Sequence, residues 1–189
     1  MNFELLKTIK SLQETVYSLA DTLEKNGWVE LGTDLKFRKL IRMDIAEYIL
    51  YVIAADDRVN IREVDIYRFF TDYGGDTIDS LVEYIEKHDI ASYKFQSEIP
   101  LSLKYLVTGT NDFLIQYPEM EESLANFLLN YFLVFAYIGK EIMRSDMTVS
   151  YAERRDVNTY LSNLYEYIRE NSYLGAPNEL RDALKDALE

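Results

Sequence analysis

A short acidic stretch between two helical patterns constrains the fold of this chain more than any other feature. It runs from Ala54 to Glu63 with the sequence Ala-Ala-Asp-Asp-Arg-Val-Asn-Ile-Arg-Glu, and apolar residues at helical spacing precede and follow it. A weaker echo lies ninety positions later, from Ser145 to Glu153. We call residues 54–60 the first acidic turn and residues 144–150 the second acidic turn. The pattern predicts two helix–acidic turn–helix units that pack together.

The two stretches match at positions that have a clear physical role. Aligning position n with n+90 pairs an aspartate, a cap residue and a glutamate: Asp56 with Asp146, Asn60 with Ser150, and Glu63 with Glu153. Asn or Ser followed three residues later by Glu is the spacing of a capping box, in which each side chain accepts a hydrogen bond from the backbone of the other residue. The alignment predicts pseudo-repeats at about 35–75 and 121–169.

The remaining patterns predict further helices, and no strand pattern competes with them. An apolar stripe from Leu5 to Leu23 recurs every three or four residues and predicts an N-terminal helix over 3–25. Thr33 or Asp34 is expected to cap the next helix. The run from Phe127 to Ile138 is the most apolar of the chain, but it is shorter than the ~20 residues that a membrane span needs. We therefore predict one all-α domain over 1–189, a helical bundle of the two pseudo-repeated units plus additional N- and C-terminal helices.

Composition and charge exclude several classes of function. A chain with a net charge of −13 repels a phosphate backbone, so we expect no nucleic-acid partner. The chain has no cysteine, which excludes disulfides, thiolate zinc sites and cysteine nucleophiles. The N-terminus lacks a basic region followed by an apolar run, so no signal peptide is recognised. We expect a cytoplasmic protein without a membrane span.

The residues of the first acidic turn carry a family resemblance. The pattern Ala-Ala-Asp-x-x-Val-x-x-x-Glu after an apolar helix resembles the tellurite-resistance TerB family and the related N-terminal domains of co-chaperones. The resemblance covers Leu35–Phe70 and Phe127–Leu164. Where the family usually has Gly after the aspartate, this chain has Asp57 and Met147. The resemblance implies an all-helical fold, divalent-metal binding at the turns, and a place in stress-response assemblies near the membrane, reached here through a partner.

A divalent cation is the cofactor that this resemblance implies. By position it carries over Asp56 and Glu63 in the first unit, and Asp146 and Glu153 in the second. The sequence adds Asp57 and Asn60, because hard cations such as Ca²⁺ or Mg²⁺ prefer several oxygen ligands around one turn. The predicted metal site therefore consists of Asp56, Asp57, Asn60, Glu63, Asp146 and Glu153.

The acidic turns are also compatible with roles that need no metal. The glutamates favour a helix N-terminus without any cation, so the turns can be structural caps alone. A metal-free scaffold would hold a protein partner or a second copy of the chain through its acidic surface or the N-terminal stripe, although a stripe this short favours packing on the chain's own core. A hydrolase with paired carboxylates has no supporting spacing, and the one histidine, His88, stands near a helix end. We expect a non-enzymatic binding module.

Overall fold

The computed structural model describes residues 3–32, 34–56, 58–71, 77–88, 98–145 and 150–188. Within these ranges the chain forms eight α-helices and no strand, which confirms the predicted all-α bundle. The helices are α1 Phe3–Lys25, α2 Phe37–Ile53, α3 Ile61–Thr71, α4 Ile78–Lys87, α5 Leu101–Gln116, α6 Glu121–Met143, α7 Tyr151–Asn171 and α8 Asn178–Leu188. One-turn 3₁₀ helices occupy Ala54–Asp56 and Pro118–Met120.

Helix α6 is the centre of the bundle. It contacts α1, α2, α5, α7 and α8, and Phe132, Phe135 and Ile138 on it are completely buried. By length and composition alone, Pro118–Met143 is long and apolar enough to cross a membrane, with a mean hydropathy of 1.2 in its most apolar window. Half of that window is buried inside the fold, and core helices of soluble proteins meet the same criterion. The helix fits its predicted place as the buried core helix.

The N-terminal stripe lies in the chain's own core. Ile9, Val16 and Leu23 are at most 2% exposed, and α1 packs against α6 and α2. The interpretation that favoured intramolecular packing over a coiled coil is confirmed for this helix. In this fold the stripe is not available to a partner or to a second copy of the chain.

The two helix–acidic turn–helix units pack against each other. Helix α2 packs on α6, α3 contacts α6, and α7 contacts both α2 and the 3₁₀ helix that follows it. The contact between the units is close at Gly139 of α6, where an added Cβ atom would overlap the hydroxyl oxygen of Tyr48 and lie 3.0 Å from Cγ1 of Val157. A glycine at this position lets α6 approach α2 and α7 more closely than any side chain would permit.

The starts of two helices differ in how they are capped. Thr77 caps α4 in a capping box with Ser80. The prediction of Asp34 as the cap of α2 is wrong, because that helix begins at Phe37 with Lys36 as its N-cap and no side-chain cap bond. Thr33, the other candidate, lies outside the described residues. Phe37 is completely buried, and burial of so large a side chain contributes about 2 kcal/mol, so packing fixes this helix start where a cap does not.

Candidate functional site at the two acidic turns

The first acidic turn ends in the predicted capping box. Oδ1 of Asn60 accepts hydrogen bonds from the backbone N–H groups of Arg62 at 2.9 Å and Glu63 at 3.2 Å. In return, the backbone N–H of Asn60 donates to Oε2 of Glu63 at 2.8 Å. Glu63 is completely buried. Its carboxylate therefore satisfies the backbone N–H of Asn60 at the start of α3, where the helix dipole also favours negative charge.

The second acidic turn ends in the same way. Oγ of Ser150 accepts from the backbone N–H of Ala152 at 3.2 Å, and the backbone N–H of Ser150 donates to Oε2 of Glu153 at 3.2 Å. Glu153 is also completely buried. The two predicted cap pairs thus occupy equivalent positions at the starts of α3 and α7.

Ser145 joins the first unit to the second. Its hydroxyl oxygen accepts a hydrogen bond from Nδ2 of Asn60 at 3.1 Å and donates to Oε1 of Glu63 at 3.3 Å. Its carbonyl oxygen accepts from Nη1 of Arg62 at 3.2 Å. Three polar residues at the start of α3 are therefore bonded to Ser145, the second residue after the end of α6, so the capping box also holds the two units together.

We call the contact of Ser145 with Asn60, Arg62 and Glu63 the junction. Among the residues that the structure describes, the junction has no counterpart in the second acidic turn, and the sequence pattern did not reveal the role of Ser145. In the n to n+90 alignment, Ser145 stands opposite Ala55. Alanine has no side-chain donor, so the bond from Ser145 to Glu63 has no equivalent from Ala55 to Glu153. The only signal in the sequence was a hydroxyl in one unit where the other has a methyl group.

Apolar side chains and arginines face outward around the junction. Ile61 and Tyr151 are the first residues of α3 and α7, stand at equivalent positions of the repeat, and are 58% and 82% exposed. Five exposed arginines accompany them: Arg58, Arg62, Arg144, Arg154 and Arg155. We call these seven residues the turn end. Two of the arginines bind neighbouring carboxylates, Arg144 that of Glu141 at 3.3 Å and Arg155 that of Asp156 at 2.7 Å.

The predicted cation ligands are only partly described by the structure. Asp57 and Asp146 lie outside the described residues. Oδ1 of Asp56 accepts a hydrogen bond from the backbone N–H of Arg58 at 3.1 Å. The side-chain oxygens of Asn60 and Glu63 already accept hydrogen bonds within the protein, so these two residues do not fit as open cation ligands. Among the described residues, no group of three or more carboxylate or histidine side chains is placed to hold a metal ion. The cation site stays a prediction.

A buried carboxylate outside the turns was not predicted. Oδ2 of Asp44 on α2 accepts a hydrogen bond from the backbone N–H of Ser102 at 2.8 Å and so caps α5, whose preceding residue is proline. The hydroxyl of Ser102 lies 2.8 Å from that of Tyr131 on α6. Burial raises the pKa of Asp44, and the hydrogen bonds from Ser102 oppose this shift. The network links three helices at a point remote in sequence from the acidic turns.

The fold and the junction define an all-helical protein built from two helix–acidic turn–helix units that pack against each other. Comparison of the chain with protein-family models, with curated proteins and with solved structures finds no match. The relationship to the TerB family therefore stays a hypothesis that rests on the turn residues.

Proposed function

We propose that this chain is a non-enzymatic module that binds another protein through its turn end. The observation that carries the proposal is the division of roles at the junction. The glutamates that start α3 and α7 are buried and serve as caps, whereas Ile61 and Tyr151 point outward at equivalent positions. The capping box of Asn60 with Glu63 is thus part of the contact between the two units, while Ile61 and Tyr151 stay exposed beside the caps.

The chemistry of the turn end suits protein recognition. Tyr and Arg are the residue types that most often contribute strongly to binding energy at protein interfaces. Exposed apolar side chains beside them offer area that a partner can cover. A module of this kind would fit the stress-response assembly that the TerB resemblance implies, and its association with a membrane would then pass through the partner.

Cation binding at the acidic turns is the second candidate function. The observation that favours it is the hydrogen bonding of Ser145, the residue before Asp146, to Asn60 and Glu63 of the first unit. The start of α3 and Ser145, just after the end of α6, are thus joined at one end of the bundle. Because Asn60 and Glu63 are engaged as caps, a cation would have to rely on other ligands or displace these bonds.

Glutamate substitutions at the turn end test the protein-binding proposal. The double variant Ile61→Glu/Tyr151→Glu removes both apolar side chains, and it retains the fold because acidic residues are favourable in the first turn of a helix. Leu101→Glu is the matched control, since Leu101 is also the first residue of a helix and is 50% exposed. Each protein is immobilised, and the proteins captured from an extract of the source cells are identified by cross-linking and mass spectrometry.

The proposal expects a partner that wild type and Leu101→Glu both retain and the double variant loses. Capture of the same proteins by all three would place the binding surface elsewhere. Capture of no protein by wild type would contradict the assignment as a binding module.

A further inference from the structure

A groove between α6 and α8 leaves apolar side chains of the central helix partly uncovered. Its floor includes Leu129, Leu133 and Tyr137, which are four residues apart on α6 and so form one stripe about 12 Å long. All three are half-buried. The groove encloses a volume of about 490 Å³. The most apolar helix of the bundle therefore carries more apolar surface than its own neighbours cover.

The rim of this groove is acidic. Helix α8 contributes Glu179, Asp182 and Asp186 to the lining, against Lys140 from α6. The ammonium group of Lys140 donates to the carbonyl oxygen of Asp186 at 2.9 Å, and this bond holds the lysine side chain near the C-terminal end of α8. Glu179 and Asp182 are exposed to solvent, and the carboxylate of Asp182 also lies 3.6 Å from Nζ of Lys185 and 4.0 Å from Nε of Arg181 on the same helix. An apolar floor beside carboxylates on one side is complementary to a ligand with an apolar face and a basic edge.

The acidic rim distinguishes between the molecules that could bind in the groove. A second copy of this chain would bring the same acidic rim, and a net charge of −13, against itself. An anionic lipid surface would be repelled by the same carboxylates. A helix with Leu-type residues every third or fourth position would lay them along the α6 stripe, and lysine or arginine on its flank would meet the rim.

We propose that the groove between α6 and α8 binds a basic amphipathic helical segment of another protein. This surface uses none of the turn-end residues, so the present proposal and the proposed function stand or fall separately.

A designed peptide tests the proposal directly. The probe is a fluorescein-labelled peptide of about 18 residues, roughly five helical turns, with leucines on one face and lysines on the other. Two matched peptides accompany it: one has glutamate in place of every lysine, and one has the same composition in an order that destroys the apolar face. Binding is followed by fluorescence anisotropy at low and at physiological salt.

Two groove variants and two controls locate the binding site. Glu179→Lys/Asp182→Lys reverses the rim, and Leu133→Ala trims the floor. Asp79→Lys/Glu83→Lys makes the same charge change on the exposed side of α4, and Ile115→Ala removes an exposed apolar side chain from α5. Circular dichroism establishes that each variant is folded, and light scattering gives the mass of each protein in solution.

We expect the amphipathic basic peptide to bind at least about tenfold more tightly than either matched peptide. The rim variant should weaken its binding about tenfold or more and Leu133→Ala about fivefold, with both controls within about twofold of wild type.

Three results would overturn the proposal. The first is no binding of the basic peptide. The second is a peptide affinity that falls equally in the rim variant and in Asp79→Lys/Glu83→Lys, or a reordered peptide that binds as tightly as the amphipathic one. Either outcome would show that a basic peptide is attracted to the acidic chain in general. The third is a wild-type dimer that Leu133→Ala converts to a monomer, which would assign the groove to a second copy.

Discussion

Oγ of Ser145 lies 3.3 Å from Oε1 of Glu63, a residue 82 positions earlier in the chain and completely buried. This hydrogen bond crosses from one helix–turn–helix unit to the other, and the same hydroxyl accepts from Asn60. A capping glutamate that needs a donor from the other unit couples the formation of α3 to the placement of α6. The buried caps therefore contribute to the assembly of the bundle as well as to the start of a helix.

Ser145→Ala should destabilise the protein because it removes the hydrogen bonds of the Ser145 hydroxyl to the buried carboxylate of Glu63 and the half-buried amide of Asn60. A hydrogen bond to a charged group is worth about 1.5–3 kcal/mol, and we expect a loss in that range in the free energy of unfolding measured in urea. Ser123→Ala, at an exposed position in the first turn of α6, is the control and should change it by less than about 0.5 kcal/mol. Equal effects of the two substitutions would show that the junction adds nothing to stability.

Gly139→Ala should destabilise the protein by about 1–3 kcal/mol through overpacking. The added methyl group would collide with the Tyr48 hydroxyl and press against Val157, and both residues are completely buried. Tyr48→Phe alone should be close to neutral or stabilising, because the buried hydroxyl has no hydrogen-bond partner among the described residues.

The double variant Gly139→Ala/Tyr48→Phe separates this clash from a general effect on the helix. Removal of the hydroxyl makes room for the methyl group, so the double variant should be more stable than the sum of the single effects by about 1 kcal/mol, within the usual range for residues in contact. Strict additivity in urea unfolding would mean that the hydroxyl is not what excludes a side chain at position 139.

Asp44 should make stability fall as pH rises through the acidic range. Burial raises its pKa above the ordinary value of 3.8, so the folded state binds a proton more readily than the unfolded state. The stability that this proton contributes is complete below 3.8 and is lost as pH rises through the folded-state pKa. In Asp44→Asn this contribution is absent, and the amide oxygen still accepts from Ser102. The stability of the variant relative to wild type should therefore increase with pH over this window in a series of urea titrations.

Two further variants control the Asp44 experiment. Asp44→Ala leaves the buried N–H of Ser102 without its acceptor and should lose about 1–3 kcal/mol on both sides of the window. Asp65→Asn makes the same change at an exposed carboxyl on α3 and serves as the surface control. A stability difference between Asp44→Asn and wild type that does not change with pH would contradict the titration of Asp44 in this range.

The sequence predicted what depends on neighbours along the chain. The capping boxes of Asn60 with Glu63 and of Ser150 with Glu153 follow from a spacing of three residues, and both are present. The cap on α5 was missed, because its acceptor is Asp44, 58 residues before the donor Ser102. The bond from Ser145 to Glu63 was missed for the same reason: only the packing of the two units brings the two residues together, and no local pattern records that contact.

The response to divalent cations separates the two candidate functions. We expect the unfolding midpoint of chelator-treated protein to be unchanged by millimolar Ca²⁺, Mg²⁺, Mn²⁺ or Zn²⁺, because the oxygens of Asn60 and Glu63 are engaged as caps. A cation that binds only the native state would add about 2.7 kcal/mol at roughly a hundred times its dissociation constant, which a thermal scan resolves easily. A selective rise for one cation that persists in Asp65→Ala and disappears in Asp56→Ala would instead establish the acidic turns as a cation site.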